Sequence, residues 1–160
     1  MALLQEPIKG RFTKTHLFRI HCFLFEDVYP FAGHIRKEQI SKGDTMFYPP
    51  DLIDRELERV FKNIHSKKLL AEQDKEKQIQ NLSQTMAELN IIHPFREGNG
   101  RSTRELIRCM ASVVVGTVLP RRCFNASPFS STSTLATPGK RLPLRRRSIR
   151  YCGLHTTVGR

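Results

Sequence analysis

Twelve consecutive residues, His93-Pro94-Phe95-Arg96-Glu97-Gly98-Asn99-Gly100-Arg101-Ser102-Thr103-Arg104, constrain this chain more than any other stretch. An apolar run, Leu89 to Ile92, leads into them and reads as the end of a buried helix. Leu106, Ile107, Met110, Val113 and Val114 follow them at the spacing of another helix's apolar face. The segment is therefore a tight loop between two helices, running into the N-terminus of the second.

The residue types in that loop suit a polyphosphate. Gly98 and Gly100 let a ligand approach the main chain closely. The N–H groups at the following helix start, with the positive end of its dipole, form an anion site. Asn99 can offer its side-chain amide to a phosphate oxygen. Arg101 and Arg104, three apart and so on one helical face, can fork a triphosphate. Glu97 is a lone carboxylate beside much positive charge, which fits a Mg²⁺ ion bridging phosphates better than an all-protein metal cage. His93 is the side chain in the loop that titrates near neutrality, hence the candidate general base.

With those residues in view, the run resembles the Fic-domain signature, His-x-Phe-x-(Asp/Glu)-Gly-Asn-Gly-Arg-x-x-Arg, at every defined position. The resemblance implies a mainly α fold of about five helices, with a short β-hairpin flap over the active site. It implies transfer of AMP from ATP to a Ser, Thr or Tyr hydroxyl of a target protein, with release of pyrophosphate. In that reading His93 is the catalytic base and Glu97 holds Mg²⁺. Gly98, Asn99 and Gly100 cradle the phosphates, and Arg101 and Arg104 hold the β- and γ-phosphates. Family members that act as kinases lack this Gly-Asn-Gly, so its presence favours AMP over phosphate transfer.

Two short β-prone runs flank Lys42-Gly43-Asp44, a hairpin signal. By the same resemblance this hairpin is the flap. Ile40, Ser41, Asp44, Thr45, Met46 and Phe47 would align an extended target segment by strand addition. Lys42 and Gly43 would neighbour the nucleotide.

The remaining periodicity fits a helical domain. Leu17, Ile20, His21, Leu24, Phe25 and Val28 step along a first helix that starts near Thr13 or Thr15 and stops at Pro30. His16 and His21 are read as structural or surface residues on it. Pro49-Pro50-Asp51 opens a second helix with Asp51 as a capping candidate, bearing Leu52, Glu56, Leu57, Val60, Phe61 and Ile64. A charged link, 65–77, precedes Ile79, Leu82, Met86 and Leu89, where Met86 is core packing. The post-motif helix is expected from Ser102 to Val115, ended by Gly116 and Pro120.

Charge divides the chain. The net +12 splits into +10 from residues 106–160, which hold ten Lys or Arg and no acidic residue, and +2 from residues 1–105. A core domain over 10–115 is thus expected to carry a basic Ser/Thr/Pro/Arg-rich tail over 116–160, disordered or the product of a changed reading frame. The rival reading is a catalytically impaired remnant of the family that binds acidic polymers through this tail. No apolar run reaches the roughly 20 residues of a membrane span, and no signal-peptide core opens the chain. Cys22, Cys109, Cys123 and Cys152 lack metal-ligand spacing, so a cytoplasmic protein with unpaired thiols is expected, in a host cytosol if it is a secreted effector. No membrane or nucleic-acid partner is expected. Many family members carry an inhibitory Ser/Thr-x-x-x-Glu helix. None precedes the motif and no glutamate follows Glu105, which leaves Arg104 open to a glutamate from a separate antitoxin-like subunit.

Overall fold

Thr13 starts the first helix, α1 (Lys14–Phe25), by accepting the His16 N–H on its hydroxyl oxygen. The computed structural model describes residues 8–66 and 69–116. The expected first helix reached Val28, but the chain turns after Phe25 and leaves Val28 65% exposed. Pro30 has no N–H and disfavours helical geometry at Tyr29, so the turn comes early. A loop follows, then the antiparallel pair β1 (Ser41–Lys42) and β2 (Thr45–Met46), with Ser41 opposite Met46 and Lys42 opposite Thr45. Gly43, at φ +56°, takes the first corner of the two-residue turn, a position that demands a left-handed backbone.

Helix α2 (Pro50–Ser66) places Pro50 at its first position and Asp51 in its first turn, one step inside the expected capping site. Its stripe of Ile53, Leu57, Val60, Phe61 and Ile64 is buried. The charged link resolves into the end of α2, a 3-10 turn (Leu69–Ala71) and the cap of α3 (Lys75–Ile92), where Asp74 accepts the Glu76 and Lys77 N–H groups. Along α3, Leu89 and Ile92 are buried and Leu82 and Met86 pack against the core, but Ile79 is 64% exposed. The N-terminal half of α3 stands off from the end of α4 (Asn99–Val115), leaving a depression of about 290 Å³ lined by Ile79, Leu82, Met86, Ile107 and Val114.

Helix α4 begins three residues earlier than expected, because Gly98 serves as its N-cap. It packs against both α1 and α3 and buries Leu106, Ile107 and Met110, while Val113 is 59% exposed. Gly116 (φ +72°) ends it, donating its N–H to Ser112 O. The core thus joins Leu17 and Ile20 of α1 and the α2 stripe to Leu89, Phe95 and Leu106. Each such side chain contributes about 1.5–3 kcal/mol on burial. Four α-helices and one hairpin, placed between the first two helices, are present among the described residues. Cys22 and Cys109 are buried thiols. The expected tail from 117 onward, with Cys123 and Cys152, lies outside the described residues.

Candidate active site

The site is built where α3 stops. His93 caps α3 in the left-handed conformation (φ +49°, ψ +62°), donating its N–H to Leu89 O. Such a φ is uncommon without glycine, and His is among the residues that adopt it most often. The loop that follows is held by its carbonyls. Arg36 takes two of them, with its Nε donating to His93 O (2.8 Å) and its main-chain N–H to Pro94 O (2.9 Å). Asn99 Nδ2 donates to Phe95 O, and His21 Nε2 donates to Glu97 O (2.9 Å). Three residues distant from one another in sequence therefore hold four carbonyls of the loop.

Asn99 departs from its expected part. Its side chain is 3% exposed and is used at both ends on Phe95, with Oδ1 accepting the Phe95 N–H (2.8 Å) and Nδ2 donating to Phe95 O (2.6 Å). One amide N–H and the carbonyl oxygen are thus engaged by Phe95, so the side chain braces the loop. Gly98 is required twice over. Its φ is +83°, and a Cβ there would lie 2.5 Å from Phe25 Cε2. Gly100 is different, since a Cβ would meet only Arg104 Nη1, at 3.3 Å.

The remaining groups expected at the site lie at the start of α4 and just before it. Gly98 supplies no side-chain cap, so the first-turn N–H groups of α4 keep the positive end of the helix open. Arg101 is exposed, with its guanidinium carbon 4.4 Å from the centre of the Phe25 ring. The Arg104 guanidinium folds back over Gly100. Among the described residues neither arginine meets a carboxylate. Glu97 is exposed, with Oε1 accepting the Gly98 N–H (3.1 Å). One outward carboxylate beside an anion site fits a Mg²⁺ ion that takes its other ligands from phosphates and water. No cluster of three or more metal-ligating side chains occurs among the described residues.

His93 is oriented by a hydrogen bond of its own. His93 Nδ1 lies 3.1 Å from Asn90 O. A carbonyl oxygen only accepts, so Nδ1 carries the proton and Nε2 keeps its lone pair. Burial holds the imidazole pKa below its usual value. The Asn90 carbonyl and Glu97 act against that shift, and the charges of Arg36 and Lys42 add to it. The neutral, proton-accepting form thus prevails at pH 7.

Of the flap residues, Ser41, Lys42, Asp44, Thr45 and Met46 are exposed, Met46 by 73%. Their main chain is open to an added strand. Lys42 is near enough to act on the charge of His93. Ile40 O accepts the Phe47 N–H (3.3 Å), extending the pairing past the hairpin. Phe47 does more than line a flap, since its ring stacks on His93 at 3.8 Å between centroids and 16° between planes.

Arg36 and His21 were not legible as site residues. His21 is fully buried, stacked on Phe95 at 3.7 Å, and relays the Gly33 N–H, accepted on Nδ1 (2.8 Å), to Glu97 O. Burial lowers its pKa. The partners of both residues are main-chain groups, some more than 50 residues along the chain, which leave no mark in side-chain pattern. A second cavity of about 400 Å³, lined by Ile8, Phe12, His16, Arg108, Cys109 and Val113, does not touch the loop.

Comparison with known proteins agrees with this geometry. The chain is 41% identical over 88 residues to a probable protein adenylyltransferase, y4lH, of Sinorhizobium fredii, covering 54% of this chain and 46% of that protein. It is 37% identical over 100 residues to the protein adenylyltransferase VbhT of Bartonella schoenbuchensis, covering 62% and 21%. The chain therefore spans less than half the length of these relatives. Among solved structures it resembles the BepC effector of Bartonella tribocorum with bound AMPPNP (TM-score 0.62, 24% identity, 71% of this chain and 61% of that one). It also resembles the N-terminal FIC domain of Bep8 from Bartonella sp. 1-1C (TM-score 0.65, 23% identity, 71% and 59%). Both share the fold described above. The Fic/DOC family model matches residues 11–111, the span from before α1 to the last turns of α4, and the chain belongs to that family.

Proposed function

We propose that this chain transfers AMP from ATP to a hydroxyl side chain of a protein. The observation that carries the reading is the placement of His93. Its Nε2 lone pair is left available by the Nδ1–H bond to Asn90, beside an uncapped helix N-terminus flanked by Arg101 and Arg104. The curated relatives named protein adenylyltransferases, and the neighbour holding AMPPNP, support it.

The triphosphate lies on the first-turn N–H groups of α4, with Arg101 and Arg104 on its β- and γ-phosphates. Glu97 would hold Mg²⁺, which supplies charge neutralisation between the phosphates. The flap edge pairs with an extended target segment and sets its hydroxyl against His93. Nε2 takes the hydroxyl proton and the oxygen bonds to the α-phosphorus. The bond from that phosphorus to the bridging oxygen breaks, and pyrophosphate leaves. Positioning and fixed charge supply most of the acceleration in such transfers. Arg104, without a carboxylate partner among the described residues, is also where an inhibitory glutamate from another subunit would bind. We assign the core domain to residues 10–115, and the reaction belongs in an ATP-containing cytoplasm, that of a host if the protein is translocated. Among the described residues no helix is long and apolar enough to cross a membrane.

The test is incubation of the purified chain and lysate with ATP labelled at the α- or the γ-phosphate. Protein labelling from the α position alone, abolished by His93→Ala, is expected. Labelling from the γ position would make it a kinase and refute the reading.

A further inference from the structure

We propose that Arg36 is a positioning residue that locks His93 and the flap into one unit, so that base and target strand keep a common register. The proposal rests on the transfer reading above. The Arg36 side chain is 3% exposed, yet it forms no ion pair among the described residues; every acceptor it reaches is a main-chain carbonyl. Two of these close α3: Nε donates to His93 O (2.8 Å) and Nη2 to Ile92 O (3.4 Å). The other two bracket the hairpin, with Nη1 donating to Glu38 O (2.6 Å) before β1 and Nη2 to Tyr48 O (2.6 Å) after β2.

The arrangement answers two needs at once. The last carbonyls of a helix have no partner inside it, and buried ones must find one elsewhere. Pro94, immediately after His93, has no N–H to help. A guanidinium offers five donors in a rigid plane and stays charged when buried, which an ammonium cannot match. The same fork thereby fixes the left-handed turn at His93 and the separation of the two flap ends. Two further contacts run the same way. The Phe47 ring lies on the imidazole, and the Tyr48 N–H reaches Ile91 O (3.4 Å). A residue serving stability alone would not need all its acceptors on these two elements.

The proposed phosphate-holding arginines, Arg101 and Arg104, sit on α4, away from this fork, which makes the proposal separable from general loss of structure. Arg36→Lys keeps the cation and most of the volume but not the fork; Arg36→Met removes both. The full chain is assayed for affinity toward a non-hydrolysable ATP analogue, for kcat and KM of AMP transfer, and by nitrogen NMR of labelled histidine. In Arg36→Lys we expect analogue affinity and KM for ATP within about twofold of the parent, with kcat lower by about 10- to 100-fold, as a misplacement near 1 Å produces. The His93 signal should change from a single Nδ1–H tautomer to a mixture. Arg36→Met should show the same changes more strongly; if it does not fold, Arg36→Lys decides. An unchanged kcat, a single unchanged tautomer, or kcat falling only in step with analogue affinity would overturn the proposal. A parent chain that transfers no AMP would sink the functional reading alone, because the tautomer still reports on Arg36.

Discussion

Replacing Gly98 by alanine should destabilise the protein through two separable effects. The first is conformational. At φ +83° an L-residue costs about 1–2 kcal/mol, less about 0.4–1 kcal/mol recovered because alanine restricts the unfolded chain. The second is steric. The new methyl would lie 2.5 Å from Phe25 Cε2 and 2.6 Å from Cζ, and the ring is 3% exposed with Tyr29 and His21 beside it, so it cannot swing clear. Overpacking of this kind costs about 1–3 kcal/mol. The loop cannot easily yield either, since Gly98 O accepts the Ser102 N–H and the Gly98 N–H is bonded to Glu97. The sum is about 2–4 kcal/mol, a large part of a typical margin of about 5–15 kcal/mol. The assay is urea unfolding of a double-mutant cycle with Phe25→Leu, which deletes both crowding atoms. In that background Gly98→Ala should lose its steric part and cost about 1 kcal/mol, a coupling of about 1–3 kcal/mol. Equal costs in the two backgrounds would refute the steric argument. Gly100→Ala in the same loop should cost little stability, because its methyl meets only the mobile end of Arg104.

Three other outcomes follow from named contacts. Arg104→Ala should weaken ATP binding by about 10- to 100-fold, the worth of a charge-assisted contact to phosphate, with unfolding unchanged, as read by calorimetry and thermal melts. Arg108→Met would remove the buried 2.6 and 3.0 Å bonds that Arg108 donates to Glu105 and should cost about 3–5 kcal/mol in urea titration; adding Glu105→Gln should restore part of it. Burial holds His16 and His21 below their unfolded pKa. The unfolded chain therefore binds more protons, and stability present above about pH 6.5 is lost as pH falls toward the folded values. Each histidine contributes a slope of up to about 1.4 kcal/mol per pH unit, so His21→Gln should flatten the curve between pH 7 and 5.5 by about one proton.

The sequence by itself determined whatever depends on local spacing. Helical periodicity marked α2 and the apolar faces of α3 and α4, and Gly43 marked the hairpin. The loop's residue types carry the proposed chemistry in the sequence itself, because the roles proposed for His93, Glu97, Arg101 and Arg104 use groups on their own side chains. Errors came where an element's end depends on packing: Val28 and Ile79 continue an apolar period, but no neighbour covers them, so periodicity overstated their burial. Tertiary structure alone decided how the loop is held. Asn99 reads as a ligand donor, but its bracing of Phe95 shows only in the fold, and Arg36 and His21 read as unremarkable until their carbonyl partners, 57 and 76 residues away, come into place. The physical reason is that a main-chain carbonyl is the same at every position. A side chain that binds carbonyls therefore leaves no complementary partner in the sequence to be read, and only the folded path of the backbone shows which ones it meets.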